Sequence, residues 1–251
     1  KNKKRNELLY ENLLLGQNKV FSKKQLSLDI LKIKDIFKEA GYFDVEVFPE
    51  ISLKENNLVN VVLNVDRKNK YLINRIYFNG NKYFSSSVLS DVVSSGEYGW
   101  WKFLSNTSSI NLNRIEYDKY LLRNFYYNNG FVDVQILSSD INIDQKNNNV
   151  NLIFSIDSGA KYFFDKIKIV DNSKDLKDYQ KEIINSIFKN KLTGIFSRKK
   201  INLIETKINN YLDINKIEFV KLVTNFSKKE NKKVDVEFSF VSIPSIYINK
   251  I

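Results

Sequence analysis

Two aspartates occupy the same place in a repeated pattern, because Ala40-Gly41-Tyr42-Phe43-Asp44-Val45 is matched by Asn129-Gly130-Phe131-Val132-Asp133-Val134. Repeated carboxylates suggest acid–base work, which needs a close partner to move a pKa towards neutrality. Each of these stands alone in its copy, so the pattern predicts a solvated charge at a strand edge. Histidine, cysteine and methionine are absent from all 251 residues. Imidazole bases, thiolate nucleophiles and soft-ligand metal centres are therefore excluded. With no nucleophile–base pair left, the sequence predicts no catalytic residue, no metal site and no cofactor, and hence a protein that is not an enzyme. Trp100 and Trp101 could line a peptide surface, but a loop-borne aromatic pair more commonly packs on its own sheet or the next domain, so they receive no binding role.

The elements that position these residues recur along the chain. Ile73-Asn74-Arg75-Ile76, Phe164-Asp165-Lys166-Ile167 and Ile248-Asn249-Lys250-Ile251 stand 91 and 84 residues apart. Alternating apolar residues close each copy as a strand: Val59, Val61, Leu63, Val65; then Val150, Leu152, Phe154, Ile156; then Val234, Val236, Phe238, Phe240. In the middle copy the spacing predicts a strand over 72–78, a turn at Asn79-Gly80-Asn81, a short helix from Ser85 and a longer one carrying Ile115, Leu122 and Tyr126. Gly130 then caps that helix in the left-handed conformation, ahead of strands over 132–143 and 150–157. The unit reads β-α-α-β-β, with Gly41, Gly80 and Gly130 as structural turns.

The last copy places helices near 173–188 and 199–212, followed by Asp213-Ile214-Asn215 where the glycine stands elsewhere, so an asparagine or aspartate is expected to adopt that backbone. The resulting divisions are 1–69, a copy that starts at its short helix (7–15) and lacks its first strand; 70–160 and 161–244, two complete copies; and 245–251, the first strand of another. Short connections between separate cores predict a rod of semi-independent domains. Lys1 in place of a methionine is read as the start of a processed chain or an excised piece.

In such a unit the closing strand is expected at the centre of a three-stranded mixed sheet covered by two helices. The second strand then lies at an edge, with unpaired N–H and C=O groups. In the middle copy Val132, Val134 and Ile136 share one face, whereas Leu137 and Ile141 continue the apolar phase on the other parity, the mark of a β-bulge. The candidate protein-binding edge strand is Val132, Asp133, Val134, Gln135, Ile136, Leu137, Ser138 and Ser139. On the residues alone, such an edge is either a blunted liability or a rail for an extended peptide.

The formal charge of +11 could point to nucleic acid or anionic lipid. The excess lies at the two ends of the chain, the aromatic middle is near neutral, and no nucleic-acid partner is expected. No run reaches the ~18–20 apolar residues of a membrane helix, and none alternates long enough for a transmembrane barrel. Absence of cysteine suits a reducing cytoplasm, or an oxidising compartment in which the chain avoids thiols.

The β-α-α-β-β unit, with Gly80-Asn81 after its first strand, Gly99-Trp100-Trp101 in its loop and Tyr126-Tyr127-Asn128-Asn129-Gly130-Phe131 at its second helix end, resembles the polypeptide-transport-associated (POTRA) repeats of outer-membrane assembly factors. The resemblance covers the whole chain, as part of repeat two, repeats three and four, and the start of repeat five. Asp171-Asn172-Ser173 replaces Gly-Asn in the last copy. By this resemblance the chain is α+β, a periplasmic scaffold tethered through its own C-terminal membrane barrel. It would receive unfolded outer-membrane proteins and dock accessory lipoproteins by β-augmentation. Alternatives are the translocation and assembly module subunit or a two-partner secretion transporter. A more remote one is a single-stranded RNA-binding module, although no aromatic strand motif of that type is present.

Overall fold

The computed structural model describes residues 13–16, 19–99, 106–173, 176–188 and 192–244. The first copy contains α1 (Lys23–Glu39), β1 (Glu46–Leu53) and β2 (Val59–Asp66). The middle copy runs β3 (Leu72–Asn79), α2 (Ser86–Val92), α3 (Leu112–Asn128), β4 (Gln135–Asp144) and β5 (Asn149–Asp157). The last runs β6 (Phe163–Asp171), α4 (Asp178–Phe188), α5 (Arg198–Ile214), β7 (Val220–Lys228) and β8 (Lys233–Ser242). The sheets are ordered β1-β2, β3-β5-β4 and β6-β8-β7. The architecture is the α+β one that the pattern predicts, with the closing strand central and the opening strand parallel to it in both three-stranded sheets. The predicted helix over 7–15 falls mostly outside the described residues, as do Trp100, Trp101 and the strand over 245–251.

Packing divides the chain into two compact units, Lys1–Asn79 with Phe84–Tyr120 and Ser138–Ser155, and Gly80–Tyr83 with Leu121–Leu137 and Ile156–Ile251. In the first, the period of two along β5 buries Val150, Leu152 and Phe154. In the second, β8 buries Val234, Val236, Phe238 and Phe240 in one core with Ile184 and Phe188 of α4 and Ile201, Ile204, Ile208 and Leu212 of α5. Each such side chain contributes roughly 1.5–3 kcal/mol by leaving water. Serines start three helices: Ser22, Ser85 and Ser197 accept from the backbone N–H groups of Gln25, Val88 and Lys200, each worth about 1 kcal/mol.

A buried carboxylate recurs about two helix turns after the cap. Asp29, on α1, accepts the Leu14 and Leu15 N–H groups at 2.7 and 2.8 Å. Asp118, on α3, is fully buried and accepts those of Ser94 at 2.6 Å and Ser95 at 3.2 Å. Both stand seven residues after the helix cap, Ser22 or Asn111, where the last copy has the core residue Ile204 after Ser197. A single carboxylate thus satisfies two consecutive backbone donors of the segment before the helix.

Candidate protein-docking edge and the joints beside it

Among the described residues β4 pairs with β5 alone, so one side of its backbone has no sheet neighbour there. The strand begins at Gln135. Residues 131–134 form a turn, so Val132, Asp133 and Val134 are not part of the edge strand that the alternation predicts. Val132 instead packs against the core of the last copy, and Val134 is buried. The phase slip is present, but displaced. Inner positions run Ile136 and Ser138, then Ser139 and Ile141, which puts the change of parity between the two serines. Leu137, expected to carry the shifted inner face, is 63% exposed and lies on the outer one. The free rim therefore comprises 135–144, with exposed Leu137 and Ile143 offering apolar contact to a strand laid alongside.

Asp133 stands two residues before this rim and is not a solvated charge. Its carboxylate accepts from the Tyr162 hydroxyl at 2.8 Å and from the Lys228 ammonium at the end of β7. Lys228 first, with Tyr162 adding to it, holds the Asp133 carboxyl below the usual carboxylate range. The same bond raises the Tyr162 hydroxyl above its ordinary value. The arrangement is repeated. The Tyr71 hydroxyl donates to Asp44 at 2.5 Å, and that bond, then burial, pushes Tyr71 up to about 12. The backbone repeats as well, since Tyr71 N–H donates to Gly41 C=O at 3.1 Å and Tyr162 N–H to Gly130 C=O at 2.8 Å. In turn Ile110 N–H donates to Tyr71 C=O, and Phe196 N–H to Tyr162 C=O, both at 3.1 Å. Each linker tyrosine is thus clasped between the glycine turn of the copy before it and the helix–helix loop of its own copy. A charge-assisted bond of this kind contributes about 1.5–3 kcal/mol, whereas solvent screens the half-exposed Lys228 pair.

The family model for POTRA, described as a surface antigen variable number repeat, matches residues 2–68 and 71–159. This chain belongs to the POTRA family. Among curated proteins it is 22% identical to the outer membrane protein assembly factor BamA of Neisseria meningitidis serogroup B, over 96% of this chain and 30% of that protein. It is also 22% identical to BamA of Neorickettsia risticii, over 95% of this chain and 32% of that one. The chain thus spans about a third of the length of these relatives. Among solved structures, POTRA3-5 of BamA from Haemophilus influenzae superposes with a TM-score of 0.51 at 14% identity, covering 94% of this chain and 90% of that one. That likeness concerns the fold.

The POTRA glycines have the backbone that their positions require: φ is +91° at Gly41, +76° at Gly80 and +96° at Gly130. In the last copy the left-handed residue at the corresponding turn is Lys216, at φ +53°, one residue beyond the Asp213-Ile214-Asn215 stretch expected to supply it. α5 runs through Ile214 and Asn215 caps it at φ −90°, so Lys216 stands two residues past the helix end, as Gly41 and Gly130 do after theirs. Sequence reasoning found the glycines and aspartates but missed the tyrosines that engage them. Their signal was available, since Tyr71 and Tyr162 each precede by two residues the motif that opens a copy. No helix among the described residues is long and apolar enough to cross a membrane.

Proposed function

We propose that this chain is the periplasmic scaffold of an outer-membrane β-barrel assembly factor, and that β4 is the edge at which extended segments of unfolded outer-membrane proteins add by backbone pairing. The support for the assembly role is the POTRA family together with the BamA relatives, which are named for that work. The support for the edge is geometric: a strand with one paired side among the described residues, a ten-residue rim over 135–144 and an exposed Leu137 on its outer face. Pairing through N–H and C=O groups demands little of client side chains, which suits partners of unrelated sequence. Accessory lipoproteins with an extended segment can use the same chemistry. The chain acts without catalysis, and a membrane barrel elsewhere in the full protein would insert the client.

Proline scanning along β4 tests this reading. Proline has no N–H, so at positions whose N–H faces β5 it disrupts the sheet, and at positions facing outward it removes only the donor offered to a client. Variants of one parity should lose circular-dichroism signal. Those of the other should remain folded yet bind a strand-forming outer-membrane peptide at least several-fold more weakly. Folded outward variants with unchanged peptide affinity would contradict the assignment.

A further inference from the structure

We propose that Asp133 is a positioning residue for the docking edge, its carboxylate held by Tyr162 and Lys228 so that Gln135 becomes the first residue whose backbone is offered to an added strand. This rests on the reading of β4 as the docking edge. Every residue from 130 to 134 is tied down. Gly130 C=O accepts from Tyr162 N–H, and Phe131 is buried edge-on against Tyr126 with ring centroids 5.4 Å apart. Val132 packs on the last copy's core, Asp133 is bound through both carboxylate oxygens, and Val134 is buried. The rim can begin only where this anchoring stops.

The other copies carry the argument beyond one site. Where the same glycine, aspartate and tyrosine recur, at Gly41, Asp44 and Tyr71, the strand that follows again begins two residues after the aspartate, at Glu46. Where the aspartate is missing the spacing changes. In the last copy Phe219 stands three residues after the left-handed Lys216, and β7 begins immediately at Val220. The second strand thus starts five residues past the left-handed residue in the two copies with the carboxylate and four past it in the copy without. A side-chain acceptor that claims the linker tyrosine keeps its own residue out of the ladder, and the strand waits until the backbone is released from that contact.

Amide exchange on the free chain and its variants tests the positioning role without a client. In Asp133→Ala, the amides of 135–138 that face β5 should exchange at least tenfold faster, while those of Val234 to Phe240 keep wild-type rates. Tyr162→Phe, which keeps the ring and removes one hydroxyl, should give a smaller acceleration at the same amides. Asp133→Asn retains an acceptor for that hydroxyl and should restore most of the protection. Affinity for a ten-residue strand-forming outer-membrane peptide should fall several-fold in Asp133→Ala and recover in Asp133→Asn. Wild-type exchange over 135–138 in both Asp133→Ala and Tyr162→Phe would overturn the proposal. A wild-type chain that takes up no peptide along 135–144 would overturn the docking reading instead, and the exchange rates of the free variants would still decide the positioning role.

Discussion

Replacing Gly130 by alanine places a methyl group on a residue at φ +96°, with its carbon 2.9 Å from Ile195 Cγ2, 2.9 Å from the Tyr162 carbonyl oxygen and 3.1 Å from Lys161 Cγ. The left-handed backbone alone costs an L-residue about 1–2 kcal/mol. Relief of the contacts requires the Tyr162 backbone to move, and the Tyr162 N–H donates to Gly130 C=O, so roughly 1 kcal/mol of hydrogen bonding is lost as well. The expected destabilisation is about 3 kcal/mol, or a fall in Tm of roughly 10–20 °C for a unit of this size. Gly194 provides the internal control. It has φ +75° and nothing within 4 Å of an added Cβ, so Gly194→Ala should show the backbone cost of about 1–2 kcal/mol and no more. Denaturant melts of the two variants, followed by tyrosine fluorescence and circular dichroism, measure the difference. Equal losses in both would refute the claim that the joint crowds Gly130.

Two further outcomes follow from buried polar groups. Asp118→Ala leaves the Ser94 and Ser95 N–H groups without their acceptor and should cost about 2–4 kcal/mol in a denaturant melt, while Asp118→Asn, which keeps one acceptor oxygen, should cost less. Because the folded Tyr71 hydroxyl is held up to about 12, above its unfolded value near 10, its contribution is complete below about pH 10 and is lost as pH rises towards 12. An ultraviolet titration compared with Tyr71→Phe should show one phenol ionising late, and a difference spectrum centred near pH 10 would contradict this.

Much of the architecture was legible because strand and helix periods are written in apolar residues. The four-residue alternation Val150, Leu152, Phe154, Ile156 reads as a strand buried on one face, and its central place was expected from the β-α-α-β-β order of the unit. The joints were less legible. Asp44 and Asp133 look solvated in a linear text because their partners are distant, Tyr71 being 27 residues along, Tyr162 29 and Lys228 95. The start of β4 was misplaced for the same reason. Val132 and Val134 fit the alternation, yet one serves a neighbouring core and the other a turn, and period two cannot distinguish burial in a sheet from burial beside it. Asp29 and Asp118 were missed as buried groups because a charged residue on a helix reads as a surface one unless its position recurs among core residues.

The account stands on the free side of β4. Amide exchange of this chain, with and without an excess of a peptide taken from a transmembrane strand of an outer-membrane protein, tests it directly. Pairing predicts new protection at alternate amides within 135–144, those that face away from β5, and none at residues 131–134. Protection confined to other strands or to the helices, with the outward amides of 135–144 exchanging as in the free chain, would contradict it.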